Sequence, residues 1–289
     1  MFTDLSPGAL GIRCSWQEGL DLAHAAGFAG ADLNLIEAKT LADAEGTEAV
    51  RDLFTTRGLR MGAWGLPVSW RGPLPQFYEQ LARLPELAEF AAELGCHRVT
   101  TGCPGWSDTL TRQEHWDLCV GRLKLVAPIL QEHGHRLGIE FIAPRNSRKD
   151  HKYGFVYSMD GMLALCCAVG TGNVGLLFDV WHWYTACSSV DDIRHLTVND
   201  VVYVHINDAP AGIHPFDQMD LVRCLPGETG VIPNVEILKI LKGLGYDGPV
   251  TVEPFSQKVK DAAAEDPLRA AKMARDSLTP LFEAAGLAL

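Results

Sequence analysis

The chain has 289 residues, 47% of them hydrophobic, with 8 cysteines and a formal net charge of -11. Such acidity argues against a surface built to neutralise phosphate backbones, which draws on clustered Lys and Arg, so no nucleic-acid partner is expected. No apolar run approaches the roughly 18 residues of a membrane span, and the start MFTDLSPGALGIRCSW has no long apolar segment behind a basic end, so a soluble, cytoplasmic protein with no membrane partner is expected.

Short apolar runs alternate along the chain with stretches of helical periodicity, the pattern of parallel strands joined by crossover helices. Eight strands are read in chain order: Ala9 to Arg13, Ala31 to Leu35, Arg60 to Leu66, Arg98 to Cys103, Leu137 to Ile142, Val174 to Asp179, Val201 to Ile206 and Val250 to Pro254. Among the helices, Gln76 to Leu94 places Tyr78, Leu81, Leu84, Leu87, Phe90 and Ala91 on one stripe, and Gly95 ends it. A helix, a glycine and a strand recur as one phrase in AAGFAGADLNL, TRGLRMGAW, ELGCHRVTT, HGHRLGIEF and GLGYDGPVTVE. The rhythm predicts one α/β domain over residues 1–289, a (β/α)8 TIM barrel of the usual size of roughly 250 residues, with no linker or low-complexity tract dividing it. The longest irregular stretches, Pro144 to Tyr157 and Ala209 to Ile232, follow strands, so they fall on the catalytic face. The cysteines show no CxxC spacing and read as reduced, mostly buried thiols.

Four polar residues interrupt apolar strands near their ends: Glu140 in LGIEFI, Asp179 in VGLLFDVWHW, His205 after VVYV and Glu253 in PVTVEPF. A carboxylate in such surroundings must meet a partner or take up a proton, and a metal ion is the simplest partner common to all four. Three carboxylates and one imidazole suit a divalent ion, Mn²⁺ first among Mg²⁺, Co²⁺, Fe²⁺ and Zn²⁺, rather than a thiolate site. His182 stands three residues past Asp179, where odd offsets in extended chain face opposite ways. It enters the pocket only if the strand has ended there, and otherwise packs between Trp181 and Trp183.

The motifs GIEF, FDVWH, HIND, LPGETGVIP and TVEPF, in this order and spacing, resemble the xylose-isomerase-like sugar isomerase and epimerase superfamily. Within it they are most similar to 2-keto-myo-inositol isomerases, and the likeness runs from the first strand to the last helix. The resemblance implies a metal held by Glu140, Asp179, His205 and Glu253, two glutamates that also exchange protons with the carbon beside a carbonyl, and His182 and Arg223 on substrate oxygens. FDVWHWY is richer in tryptophan than that pattern, PGETG is one residue longer, and RNSRKDHKYG follows strand five.

The expected chemistry is removal and return of a proton beside a ketone through an enediolate, with Glu140, Glu253 and His182 as acid and base groups. The expected substrate is a free keto sugar or keto inositol, since no phosphate cradle is evident. Trp64, Trp106 and Trp181 offer an aromatic wall for such a ring. His151 and Lys152 could add a proton donor above the metal, Arg223 could instead form a surface ion pair, and Glu228 could orient a ligand or lie exposed. Asn207 supports the site and Asp208 reads as structural. The alternative reaction is elimination after the same first step, as in an inosose-type dehydratase or a lyase of 3-keto glycosides. An endonuclease of a related barrel group would need more ligands and a basic groove, and a metal-stabilised binding protein would show no turnover. A homo-oligomer is among the admissible assemblies.

Overall fold

Apolar strands with no polar face are stable only where both faces are covered, which a closed parallel barrel under a ring of helices provides. The computed structural model describes residues 1–288. In chain order its elements are β1 (Phe2–Leu5), α1 (Trp16–Ala26), β2 (Gly30–Ala31), α2 (Leu35–Glu45), α3 (Thr47–Thr55), β3 (Arg60–Met61), β4 (Trp64–Gly65), α4 (Leu74–Glu93), β5 (Arg98–Cys103), β6 (Trp106–Ser107), α5 (Arg112–Glu132), β7 (Arg136–Phe141), β8 (Tyr153–Gly154), α6 (Met159–Val169), β9 (Val174–Asp179), α7 (Val180–Thr185), α8 (Val190–Arg194), β10 (Val201–Ile206), α9 (Asn234–Leu244), β11 (Pro249–Val252), α10 (Gln257–Glu265) and α11 (Pro267–Ala284). Nine of these strands form one curled sheet in the order β3-β2-β1-β11-β10-β9-β7-β5-β4, parallel throughout. β3 and β4 lie at the two ends of that order, yet only Gly62 and Ala63 separate them in the chain. They are two pieces of one interrupted stave, and the sheet is a (β/α)8 barrel of eight staves. Among the described residues no helix is long and apolar enough to cross a membrane.

Side chains alternate across each stave. Outward residues such as Ile139, Phe141, Leu176, Phe178, Val204, Ile206, Val250 and Val252 join the large core beneath the helices, while Ala63, Leu177 and Tyr203 pack together as a separate cluster inside the barrel. β6 and β8 form a small antiparallel pair outside the barrel, joining the loops that follow β5 and β7.

The first expected strand, Ala9 to Arg13, is not one. Pro7 opens a 3₁₀ turn over Pro7–Leu10, and Gly11 takes the left-handed conformation at φ 78°. The strand is Phe2–Leu5, which is buried throughout and includes Thr3 and Asp4, so its polar residues hid the pattern. The second strand ends at Ala31, because the Asn34 side chain accepts a hydrogen bond from the Glu37 N–H and starts α2 at Leu35. On α4 the buried stripe carries Phe77, with Tyr78 exposed beside it. The recurrent glycine turn is present: Gly27, Gly58, Gly95, Gly134 and Gly245 all have positive φ after their helices. Of the cysteines, Cys96, Cys103, Cys119 and Cys166 are buried, while Cys14, Cys167 and Cys187 are exposed and Cys224 is intermediate, so the expectation of mostly buried thiols holds for only half of them.

Candidate metal centre

Register and alternation explain why four distant polar residues meet. His205 of β10 lies opposite Asp179 of β9, Glu140 sits one residue before the end of β7, and Glu253 follows β11 directly, its N–H bonded to the Ile206 carbonyl at 3.1 Å. β7, β9, β10 and β11 are neighbouring staves, so their inward-facing ends form one wall at the C-terminal mouth of the barrel. One ligand atom from each of Glu140, Asp179, His205 and Glu253 lies within 4.8 Å of all the others. Asp179 is fully buried, whereas the Glu140, His205 and Glu253 side chains keep 16%, 13% and 15% of their surface, which opens the group to solvent on one side.

The next shell holds these groups in place. Asp179 Oδ1 accepts from Asn207 Nδ2 at 2.9 Å and from the Trp181 N–H at 2.8 Å. Its Oδ2 accepts from Arg223 Nη1 at 2.8 Å, and the same nitrogen donates to Glu253 Oε2 at 2.8 Å. Arg223 is buried and is itself fixed by Asp220, through Nη2 to the carboxylate at 3.1 Å and Nε to the carbonyl at 3.0 Å. The Arg223 guanidinium stacks over the rings of Phe255 and Trp181. The strand does end at Asp179. The one-turn helix α7 begins there and turns His182 back toward the site, with Nε2 3.6 Å from Asp179 Oδ2 and 4.0 Å from Glu140 Oε1. Since His182 Nδ1 accepts from the Ala143 N–H at 3.4 Å, the neutral ring carries its proton on Nε2.

The electrostatics describe a pocket short of positive charge. Burial would lower the pKa of His205, but Glu253 and Glu140 raise it to about 10, and its Nδ1 donates to Glu140 Oε1 at 3.1 Å. Burial raises Glu253 to about 7 despite His205 and Arg223. At Asp179 burial is overridden by Arg223, His182 and His205, which hold it at about 2. Burial holds His182 below its ordinary value, so it is neutral at neutral pH. Three carboxylates and an imidazole converging on so small a space fit a divalent cation, in donor type and in charge.

Below this wall the inward residues form a second polar layer. The Tyr203 hydroxyl lies 3.0 Å from Asp32 Oδ1, 3.2 Å from Asp4 Oδ2 and 2.6 Å from the Thr251 hydroxyl. Gly62 leaves room for both carboxylates, since a Cβ there would stand 2.5 Å from Asp4 Oδ1 and 2.8 Å from Asp32 Oδ1. Burial and the neighbouring Asp32 raise Asp4 well above the carboxylate range, and burial raises Asp32 to about 6. Neither carboxylate is among the expected site residues: Asp32, in AGADLNLI, carries the same signal as Glu140, whereas Asp4 follows Thr3 and lies outside any apolar run.

The remaining candidates divide. Trp64 is a core residue: it is buried, its indole N–H donates to the Cys96 carbonyl at 3.0 Å, and its ring meets His135 edge-on, away from the mouth. Trp181 is also sealed: its backbone N–H donates to Asp179, and its ring meets the site through Arg223. Trp106, on β6, is half-buried and stacks on His151. Arg223 is no surface residue. Glu228 accepts from the Leu225 N–H at 3.0 Å and pairs with the exposed Lys258, so it shapes its own loop. Asp208 is structural in a specific way: its carboxylate accepts from the N–H groups of Ala209, Thr229, Gly230 and Ile232 at 2.7 to 3.0 Å, closing the loop that carries Arg223.

A family model described as xylose isomerase-like TIM barrel matches residues 20–279. Among solved structures, a xylose isomerase domain protein from Alicyclobacillus acidocaldarius is 34% identical, with a TM-score of 0.87 over 99% of both chains. IOLI protein with a binding zinc atom shares the fold at 18% identity and a TM-score of 0.75, over 98% of this chain and 99% of that one. An inosose isomerase of Halalkalibacterium halodurans is 29% identical over 157 residues, 53% of this chain and 51% of the relative, so the chain matches about half the length of this curated relative.

Proposed function

The chain belongs to the xylose isomerase-like TIM barrel family, and on that premise we propose that it is a divalent-metal-dependent isomerase or epimerase acting on a keto sugar or keto inositol. The observation that supports this most directly is the convergence of Glu140, Asp179, His205 and Glu253 within 4.8 Å at the barrel mouth. Mn²⁺ is the proposed ion. A bound divalent cation would supply electrostatic stabilisation to the oxygen beside the reacting carbon.

The four residues have different work. Asp179, buried and held by Asn207 and Arg223, has no free oxygen to turn toward a substrate, so it serves with His205 as a plain ligand. Glu140 and Glu253 come from the outermost of the four neighbouring staves and flank the other two, and each side chain keeps part of its surface exposed. That placement suits one carboxylate for removing a carbon-bound proton and the other for returning it. His182, neutral with its proton on Nε2, donates a hydrogen bond to a substrate oxygen. Arg223 carries permanent charge beside the same carboxylates and steadies a second oxygen.

The test is to incubate the Mn²⁺-loaded protein with 2-keto-myo-inositol and with D-fructose in D₂O and to follow deuterium uptake and products by NMR. Uptake beside the ketone is expected, with loss of at least about 100-fold in Glu140→Gln. Full activity in that variant, or after EDTA treatment, would sink the mechanism.

A second reading, elimination from a 3-keto glycoside by the same first step, draws on the loop after β10, where Ile213, Phe216, Met219, Leu221 and Val222 are exposed. A free sugar gives such an apolar rim nothing to bind, whereas an apolar aglycone does. Release of aglycone from 4-nitrophenyl 3-keto-glucoside without carbonyl migration in keto inositols would favour it.

A further inference from the structure

Moving a carbonyl from one ring carbon to the next requires two proton transfers. One proton leaves the carbinol carbon and another returns at the former carbonyl carbon, the task assigned above to Glu140 and Glu253. A second proton must leave the carbinol oxygen and arrive on the former carbonyl oxygen. Epimerisation at one carbon needs only the first transfer.

We propose that His151, held by Asp108 and Trp106 on the β6–β8 pair, carries the oxygen-to-oxygen proton. The idea rests on the enolisation reading above. His151 Nδ1 lies 2.9 Å from Asp108 Oδ2, and Asp108 Oδ1 accepts from the Lys152 N–H at 3.1 Å, so the carboxylate grips both the ring and the backbone beside it. The imidazole stacks flat on Trp106, with ring centroids 3.3 Å apart and an angle of 5° between the planes. Nε2 has no hydrogen-bond partner among the described residues. A ring fixed at one nitrogen by a carboxylate, fixed in plane by an indole and free at the other nitrogen is oriented to exchange protons with a ligand.

The placement agrees. Trp106 and Asp108 follow β5, whose Gly102 and Cys103 lie opposite Glu140 and Phe141 of β7, and His151 lies in the loop that follows β7. Both segments therefore belong to the rim beside Glu140. The loop carrying His151 is also tied to the Arg223 loop: Ser147 Oγ donates to Asp220 Oδ2 at 3.2 Å, and the Asp220 N–H donates to Asn146 Oδ1 at 3.2 Å. Gly105 allows the pair to sit close, since a Cβ there would be 2.7 Å from the Ile142 carbonyl oxygen.

The step balances without a co-reactant. Neutral His151 accepts the hydroxyl proton at Nε2 as the carbinol oxygen becomes the new carbonyl, and the imidazolium returns a proton to the former carbonyl oxygen. Asp108 is the positioning residue, accepting from Nδ1–H throughout.

With Mn²⁺-loaded protein and 2-keto-myo-inositol in D₂O, NMR reads carbon-bound deuterium and carbonyl migration separately. His151→Gln is expected to keep deuterium uptake within about twofold while migration falls by at least about 100-fold. His151→Ala should behave alike and recover part of its migration with added imidazole, and Asp108→Asn should lose about 10-fold. Migration at the wild-type rate in His151→Gln overturns the proposal, as does a parallel loss of uptake and migration, which would mark a structural role. Wild-type uptake without migration overturns it as well. Absence of uptake in the wild type with both 2-keto-myo-inositol and D-fructose takes down the enolisation reading itself, a result distinct from uptake that ignores His151.

Discussion

Charge compensation at single residues shapes this barrel mouth. Asp179 is surrounded by donors on both oxygens, and Asn207 supplies one of them while its own carbonyl is held by Asn234 Nδ2 at 2.8 Å. Removing that support leaves Oδ1 with the Trp181 N–H alone and loosens the ligand. Asn207→Ala is therefore expected to weaken Mn²⁺ binding by about 10-fold in calorimetric titration without changing the far-ultraviolet circular dichroism spectrum. A different residue-scale effect comes from Asp32. Burial raises its folded pKa to about 6, above the ordinary carboxylate value, so the folded state binds a proton that the unfolded chain has already released. The resulting stabilisation is complete at low pH and is lost as pH rises through about 6. Urea midpoints should fall between pH 5 and pH 8, with Glu253 and His205 acting in the same direction, and Asp32→Asn should reduce that fall by an amount worth about 1 kcal/mol. A slope of the opposite sign, or one unchanged in the variant, would assign the effect elsewhere.

At the scale of elements, two loops carry the groups that staves alone cannot supply. The loop after β10 brings Asp220 and Arg223 to the site, and Asp208 closes it with four backbone hydrogen bonds while pairing its backbone with Cys224. Asp208→Ala would leave the buried N–H groups of Ala209 and Ile232 without acceptors, at a cost of about 1–3 kcal/mol each. Limited proteolysis should then cut first within residues 209–232, and KM should rise by about 10-fold as Arg223 loses its place. Cleavage elsewhere with an unchanged KM would show that the loop holds itself. The β6–β8 pair is the counterpart on the Glu140 side of the same mouth, fixed by side-chain stacking as well as by backbone pairing.

For the whole molecule, closure of the barrel and the metal centre are linked. The four candidate ligands come from staves spread over residues 140 to 253, and the unfolded chain has no such site. A cation that binds only the folded state stabilises it by about 2.7 kcal/mol at 100 times its dissociation constant. Saturating Mn²⁺ should therefore raise the thermal midpoint of EDTA-treated protein, and Asp179→Asn should remove most of that rise. An equal rise in the variant would place the ion elsewhere.

Alternation of apolar runs with helical periods, and the glycine after each helix, were legible in the chain because both are local: hydrophobic period and left-handed turns depend on neighbours in sequence. Glu140, Asp179, His205 and Glu253 were legible because a charged group inside an apolar run has few other uses. The first strand was misread because a buried Asp4 needs Tyr203 of β10 and Thr251 of β11 to be tolerated, and those are distant in sequence. Only the tertiary structure decided that Trp64 faces the core, that Arg223 lies between Asp179 and Glu253, and that His151 stacks on Trp106. Each depends on which staves and loops become neighbours once the barrel closes, and local patterning carries no record of that.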